Sequence, residues 1–136
     1  QRANCMDTLT ERTIARFAKA VASLERALTL SEIPDHGKRD IVLLRFELTT
    51  ELMSKVLRRI VIERGGEAGL PKDTVRAAHV GNLVGEAETS TLIAVIDDRN
   101  RMVHDYSEEF AERLFGRIKK EYAFAFRNLL EKIQKP

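Results

Sequence analysis

The feature that most constrains this chain is how little interrupts it. Only seven Gly and three Pro occur in 136 residues, and most of them gather at Ile33-Pro34-Asp35-His36-Gly37, at Gly65-Gly66-Glu67-Ala68-Gly69-Leu70-Pro71 and between Gly81 and Gly85. Glycine and proline are the residues that end helices and make turns, so the long stretches between these three clusters are free to run as uninterrupted helices. No stretch alternates apolar and polar residues as a half-buried strand would, and no internal repeat or low-complexity segment is found. The expected fold is therefore all-α: an up-and-down bundle of four to five helices joined by short connections.

The apolar positions say where those helices lie. From Thr10 onward, Ile14, Phe17, Ala18, Val21, Leu24 and Leu28 form one stripe opposite Glu11, Arg12, Arg16, Lys19 and Arg26, the pattern of a surface helix. Between Lys38 and Arg64 the apolar residues cover more than half the circumference, so a second helix is expected to touch partners on more than one side. Its polar strip holds Asp40, Glu47, Glu51, Ser54 and Arg58, while Arg45 and Thr49 fall inside the apolar arc. Arg45 is then a charge in need of a partner. Pro71 suits the first turn of a short third helix reaching about Leu83, because its missing N–H would be unsatisfied there anyway. A fourth helix is expected from Glu88, with Leu92, Ile93, Ile96 and Val103 on one face. A fifth starts after Ser107, an N-cap followed by acidic Glu108 and Glu109, and carries Phe110, Leu114, Ile118, Tyr122, Ala125, Leu129 and Ile133.

Size and charge exclude other classes. One domain over residues 6–136 is expected, with Gln1 to Cys5 read as an extension before Met6. No apolar run approaches the ~20 residues that span a bilayer, and one lone Cys offers no internal disulfide. A cytoplasmic protein without a membrane partner is the resulting expectation. Lys and Arg number 23 against 21 Asp and Glu, a formal charge of +2, too near balance to mark a general nucleic-acid binder.

Chemistry concentrates in Asp97-Asp98-Arg99-Asn100-Arg101-Met102-Val103-His104-Asp105-Tyr106. At ~100° per residue, Arg99, Asn100 and His104 fall on the half of the helix that carries Leu92, Ile93, Ile96 and Val103, whereas Asp97, Asp98, Arg101 and Asp105 mostly point elsewhere. Arg supplies a guanidinium fork for phosphate, and His supplies a proton donor or acceptor near neutral pH. Together they are two parts of a metal-independent phosphoryl-transfer site in which RNA brings its own 2′-OH nucleophile. One His is thin for both acid and base roles, which favours a symmetric dimer. The same cluster also reads as an ordinary hydrogen-bond network, with Arg99 held by a carboxylate such as Glu47 or Glu51.

Arg99 to Tyr106 resembles the R-x4-H-x-Y motif of HepT-type toxins in the HEPN superfamily. Arg45-Phe46-Glu47-Leu48-Thr49-Thr50-Glu51-Leu52, with Lys55, resembles the second-helix signature of the related nucleotidyltransferase substrate-binding proteins. The resemblance implies a HEPN bundle that homodimerises with its Arg99/His104 motifs facing each other, and a cognate minimal nucleotidyltransferase as partner. In the toxin branch it implies Arg99 and His104 as ribonuclease residues, Asn100 as a supporting polar group, and Tyr106 as the hydroxyl that the partner modifies with AMP. Where such family members often carry Ala-Trp after the Glu-Leu of the signature, this chain has Met53-Ser54. The alternative is accordingly a non-catalytic substrate-binding subunit of a two-component nucleotidyltransferase.

Remaining polar residues have plainer readings. Glu47 and Glu51, one turn apart, are expected as ion-pair partners of Arg99 or Arg45 and not as metal ligands, because His36 and His79 have no suitable neighbours. Gly65-Gly66 follows a helix and lacks a phosphate-loop frame. No metal or cofactor is expected. The basic residues Arg113, Arg117, Lys119, Lys120, Arg127, Lys132 and Lys135, interspersed with Glu112, Glu121 and Glu131, read as a solvated helix face.

Overall fold

A computed structural model of the chain describes residues 8–135. The stretch expected as an N-terminal extension lies outside them. The elements in order are α1 (Thr8–Leu28), α2 (Asp35–Glu63), α3 (Pro71–Val80), α4 (Glu86–His104), α5 (Glu108–Arg117), a π-helical turn (Ile118–Tyr122) and α6 (Ala123–Gln134). No strand occurs among the described residues, and none of their helices is long and apolar enough to cross a membrane. Helix placement agrees with the sequence reading to within a few residues. Pro71 opens α3, and the Ser107 hydroxyl accepts a hydrogen bond from the Phe110 N–H (3.1 Å) at the start of α5.

Cross-helix contacts fix the direction of each element. Arg45 reaches the Ser23 carbonyl, Thr49 faces Ala20, and Glu63 meets Thr10, so α2 runs antiparallel to α1. Lys132 meets Glu88 while Arg117 and Tyr122 meet Asp98, so the C-terminal helix runs antiparallel to α4. Arg39, near the start of α2, pairs with Glu108 (2.9 Å) and Glu112 (2.8 Å) just beyond the end of α4, whereas Glu51 meets Arg99 further along. Hence α2 and α4 are also antiparallel, with a seam between them.

The core is aromatic and aliphatic. Phe17, Phe46, Phe110 and Phe126 are fully buried. The Phe46 ring stacks on Tyr122 at 5.8 Å between centroids and tilts against Phe126, which meets Phe17 edge-on. As expected, α2 touches α1, α3, α4 and α5. Its apolar arc is nevertheless not wholly covered, because Leu44 and Leu48 remain half exposed.

The fifth helix departs from a regular α-helix. Its buried residues Phe110, Leu114, Ile118, Tyr122, Phe126 and Leu130 recur every four positions. In an α-helix of ~3.6 residues per turn such a row drifts by ~40° at each step and would rotate away from the core. A single i→i+5 turn at Ile118–Tyr122, which adds one residue to the turn, takes back about 100° of that drift, roughly half of it. It also brings Arg117 and Tyr122, at its two ends, onto the same carboxylate of α4.

Candidate functional site

Arg99 projects from the middle of α4 into the seam with α2. Its Nη2 donates to Glu51 Oε2 at 2.8 Å and lies 3.6 Å from Glu47 Oε2. Both carboxylates expected as its partners are therefore in place, one turn apart on α2. The Arg99 Nε, on the same edge of the guanidinium as Nη2, is buried and has no acceptor among the described residues. That edge, which can hold two oxygens side by side, is half used.

Beside it, Thr50, Glu51, Ser54, Lys55, Pro71, Ile96, Arg99 and Asn100 line a groove of about 260 Å³. Asn100 is exposed at its rim. Lys72, at the start of α3, is taken up by Asp97 at 2.6 Å. Among the described residues, no group of three His, Cys, Asp or Glu side chains comes together as a metal site would require.

His104 is the last residue of α4 and is exposed, with no hydrogen bond to its imidazole among the described residues. His104 lies five positions after Arg99, a rotation of ~140° about the helix axis. Val103, expected on the inner face, is likewise exposed. Tyr106 stands half exposed in the three-residue link from α4 to α5.

Arg45 and Asp98 find their partners away from the Arg99–glutamate contact. Arg45 does not join Arg99 or either glutamate. Its Nη1 donates to the Ser23 carbonyl at 2.7 Å, so a charge inside an apolar arc finds a backbone oxygen on the neighbouring helix. Asp98, expected to point away, is buried. It accepts from Arg117 Nη1 through both oxygens (2.9 Å each) and from Tyr122 Oη (2.5 Å). The Asp98 hydrogen bond raises the Arg117 pKa. Burial foremost, and then the Asp98 carboxylate, pushes the Tyr122 phenol well above the usual tyrosine range.

The network has a consequence for the site. Tyr122 binds Asp98 of α4 and stacks on Phe46 of α2, the residues immediately before Arg99 and Glu47. One side chain therefore sets the rotation of both helices that carry the Arg99–glutamate contact. Sequence reasoning missed Asp98 and also Arg39, which is almost fully buried. Burial alone would lower the Arg39 pKa, but hydrogen bonds to Glu112, Glu108 and Asp40 outweigh it and raise it. Three basic residues of the last helix are ion-paired while keeping part of the side chain in solvent. Arg117, Arg127 and Lys132 are bound to Asp98, Glu25 and Glu88. The two other histidines are ordinary polar residues: His36 is exposed in the first turn of α2, and His79 Nδ1 contacts the Val84 carbonyl at 2.9 Å.

Over residues 12–135 the chain matches the family described as nucleotidyltransferase substrate binding protein like. A Thermus thermophilus protein of known crystal structure is similar at 32% identity and TM-score 0.79, covering 88% of this chain and 99% of that one. A tri-AMPylated Shewanella oneidensis HEPN toxin, solved in complex with an MNT antitoxin, is similar at 17% identity and TM-score 0.79, covering 95% of this chain and 98% of that one. A toxin-antitoxin structure with AMP-PNP is similar at 16% identity and TM-score 0.77, covering 94% and 98%. At such identities the last two show a shared fold, the HEPN helical bundle. No curated protein matches the chain.

Proposed function

The chain belongs to the nucleotidyltransferase substrate binding protein like family, and from that premise we propose that it is the HEPN-type toxin of a toxin-antitoxin pair, a metal-independent endoribonuclease acting as a homodimer. The observation that carries this reading is the state of the two motif residues. Arg99 is anchored with one guanidinium edge half used, while His104 stands exposed and, among the described residues, without a hydrogen-bond partner at the end of the same helix. That is half of a phosphoryl-transfer site, open toward a second copy.

In the dimer, one His104 imidazole takes the proton of a ribose 2′-OH, and the oxygen attacks the adjacent phosphorus. Arg99 stabilises the charge that develops on the phosphate oxygens. The bond to the 5′-oxygen then breaks, and this leaving group takes a proton from the second copy's imidazolium. The products are a 2′,3′-cyclic phosphate and a 5′-hydroxyl, so protons and electron pairs balance without an external nucleophile. Asn100 serves as a supporting donor at the groove rim. Tyr106, two residues past His104, is the acceptor of AMP from a cognate minimal nucleotidyltransferase. An anionic adduct there covers His104 and competes with RNA for Arg99.

A second reading is favoured by the two carboxylates on Arg99 and by the family description. On it, the chain is a non-catalytic substrate-binding subunit of a two-component nucleotidyltransferase, and the Arg99 cleft serves recognition alone. His104→Ala separates the two. On the nuclease reading, the variant loses RNA cleavage and growth inhibition by at least the ~100-fold expected of a general base. Equal activity of both proteins rejects that reading. Mass spectrometry of the chain co-expressed with a neighbouring nucleotidyltransferase is expected to find AMP on Tyr106, and Tyr106→Phe to remove it.

A further inference from the structure

Resting on the ribonuclease reading, we propose that the groove between α2 and α4 is a backbone-phosphate subsite for single-stranded RNA, with Lys55 as its cation and Arg99 Nε, Ser54 and Asn100 as its further donors.

Four observations converge on an anion. The Arg99 Nε is a buried donor without an acceptor, and a buried N–H favours any oxygen that reaches it. Lys55 lines the groove and, among the described residues, has no ion-pair partner, whereas the neighbouring Lys72 is already taken by Asp97. The side chains of Ser54 and Asn100 add neutral donors. Glu51, the one carboxylate lining the groove, is committed to Arg99 Nη2, and Glu47 lies 3.6 Å from the same nitrogen, so the charge of Arg99 is met on α2 and Lys55 is the cation left for an anion. Pro71 and Ile96 supply an apolar wall.

Size decides which phosphate fits. At about 260 Å³ the groove lies below the ~300–1,000 Å³ of pockets that enclose a whole ligand. It suits one phosphate and part of its sugar better than a complete nucleotide with its base. A strand that passes over the surface meets this condition.

Placement decides where along the strand. Lys55 follows Glu51 by one turn of α2, ~6 Å along the axis. Because α2 and α4 are antiparallel, this displacement leads away from His104. A strand laid along the seam meets His104 at the end of α4, then Arg99, then Lys55. The subsite therefore holds the phosphate next to the scissile one, with Arg99 between the two, and Lys55 acts in binding, not in bond cleavage.

The test uses a short fluorescent 2′-O-methyl oligoribonucleotide, which the proposed chemistry cannot cut, titrated against the full chain by anisotropy at several salt concentrations. Lys55→Gln is expected to weaken binding about five- to tenfold and to lessen the salt slope by ~0.7, the value for one single-strand phosphate contact. Lys55→Arg is expected to restore both, and the far-UV circular dichroism and Tm of the variants to stay those of the unaltered chain. Unchanged affinity and slope in Lys55→Gln overturn the proposal, as does failure of the unaltered chain to bind the probe. An ATP arm separates the two phosphate sources: weaker ATP binding with RNA binding intact also overturns it. Since the probe is not cleaved, His104→Ala activity can fail to fall, ending the nuclease reading, while these binding data still stand or fall separately.

Discussion

Asp98 and Tyr122 carry more structural weight than their positions in the sequence suggest. A carboxylate buried among apolar helices is tolerable only when its oxygens are filled, and here Arg117 and Tyr122 fill them. Tyr122→Phe keeps the stack on Phe46 and removes one hydrogen bond to a charged group, so a loss of about 1.5–3 kcal/mol is expected in urea denaturation. The same side chain gives the protein an alkaline limit. Burial and Asp98 hold the phenol above its ordinary value of 10.0, so folding favours the neutral form. That contribution is complete below pH 10.0 and is lost as pH rises through the folded-state value. Tm is expected to fall more steeply above pH 10 in the unaltered chain than in Tyr122→Phe; parallel curves would show that this ionisation does not limit stability. At the site itself, Arg99 and its glutamates were legible from helical spacing, since i and i+4 on α2 face one residue of α4. Arg45 was not, because its partner is a main-chain oxygen, and main-chain oxygens carry no residue-type signal.

At the scale of elements, the C-terminal helix shows how a local irregularity serves long-range contacts. The four-residue row from Phe110 to Leu130 is visible in the sequence as apolar spacing, yet the π turn that keeps it facing inward is not signalled by any Gly or Pro within Ile118–Tyr122. Deleting exposed Lys120 should convert this turn to a regular α-helix and pull Arg117 or Tyr122 off Asp98. A Tm drop of several degrees is expected, and an unchanged Tm would show that the network does not depend on the turn. The link between α4 and α5 is held at its end by the Ser107 cap. Ser107→Ala is expected to cost about 1 kcal/mol in chemical denaturation, the usual loss for an N-cap hydroxyl. Tyr106 precedes that cap, so the same variant should speed amide exchange at residues 105–107.

For the molecule as a whole, the proposed site requires two copies, and the surface around His104 is where they would meet. Val103, exposed beside His104, is an apolar side chain without cover. In the proposed dimer its replacement by Glu sets like charges near the two-fold axis, and sedimentation velocity is expected to show a shift from dimer to monomer with cleavage lost in parallel. A monomeric unaltered chain would end the dimer reading. What the sequence by itself determined is an all-α chain of four to five long helices, their ends to within a few residues, and Glu47 or Glu51 as a partner for Arg99, because periodicity, caps and breakers act over a few neighbouring residues. Only the tertiary structure decided that α4 turns Asp98 inward, points Arg99 into the α2 seam and leaves His104 in solvent. Periodicity defines an apolar face, but how far a partner helix extends along it, and which polar groups that partner brings, depend on residues distant in the chain: Phe46, Arg117 and Tyr122.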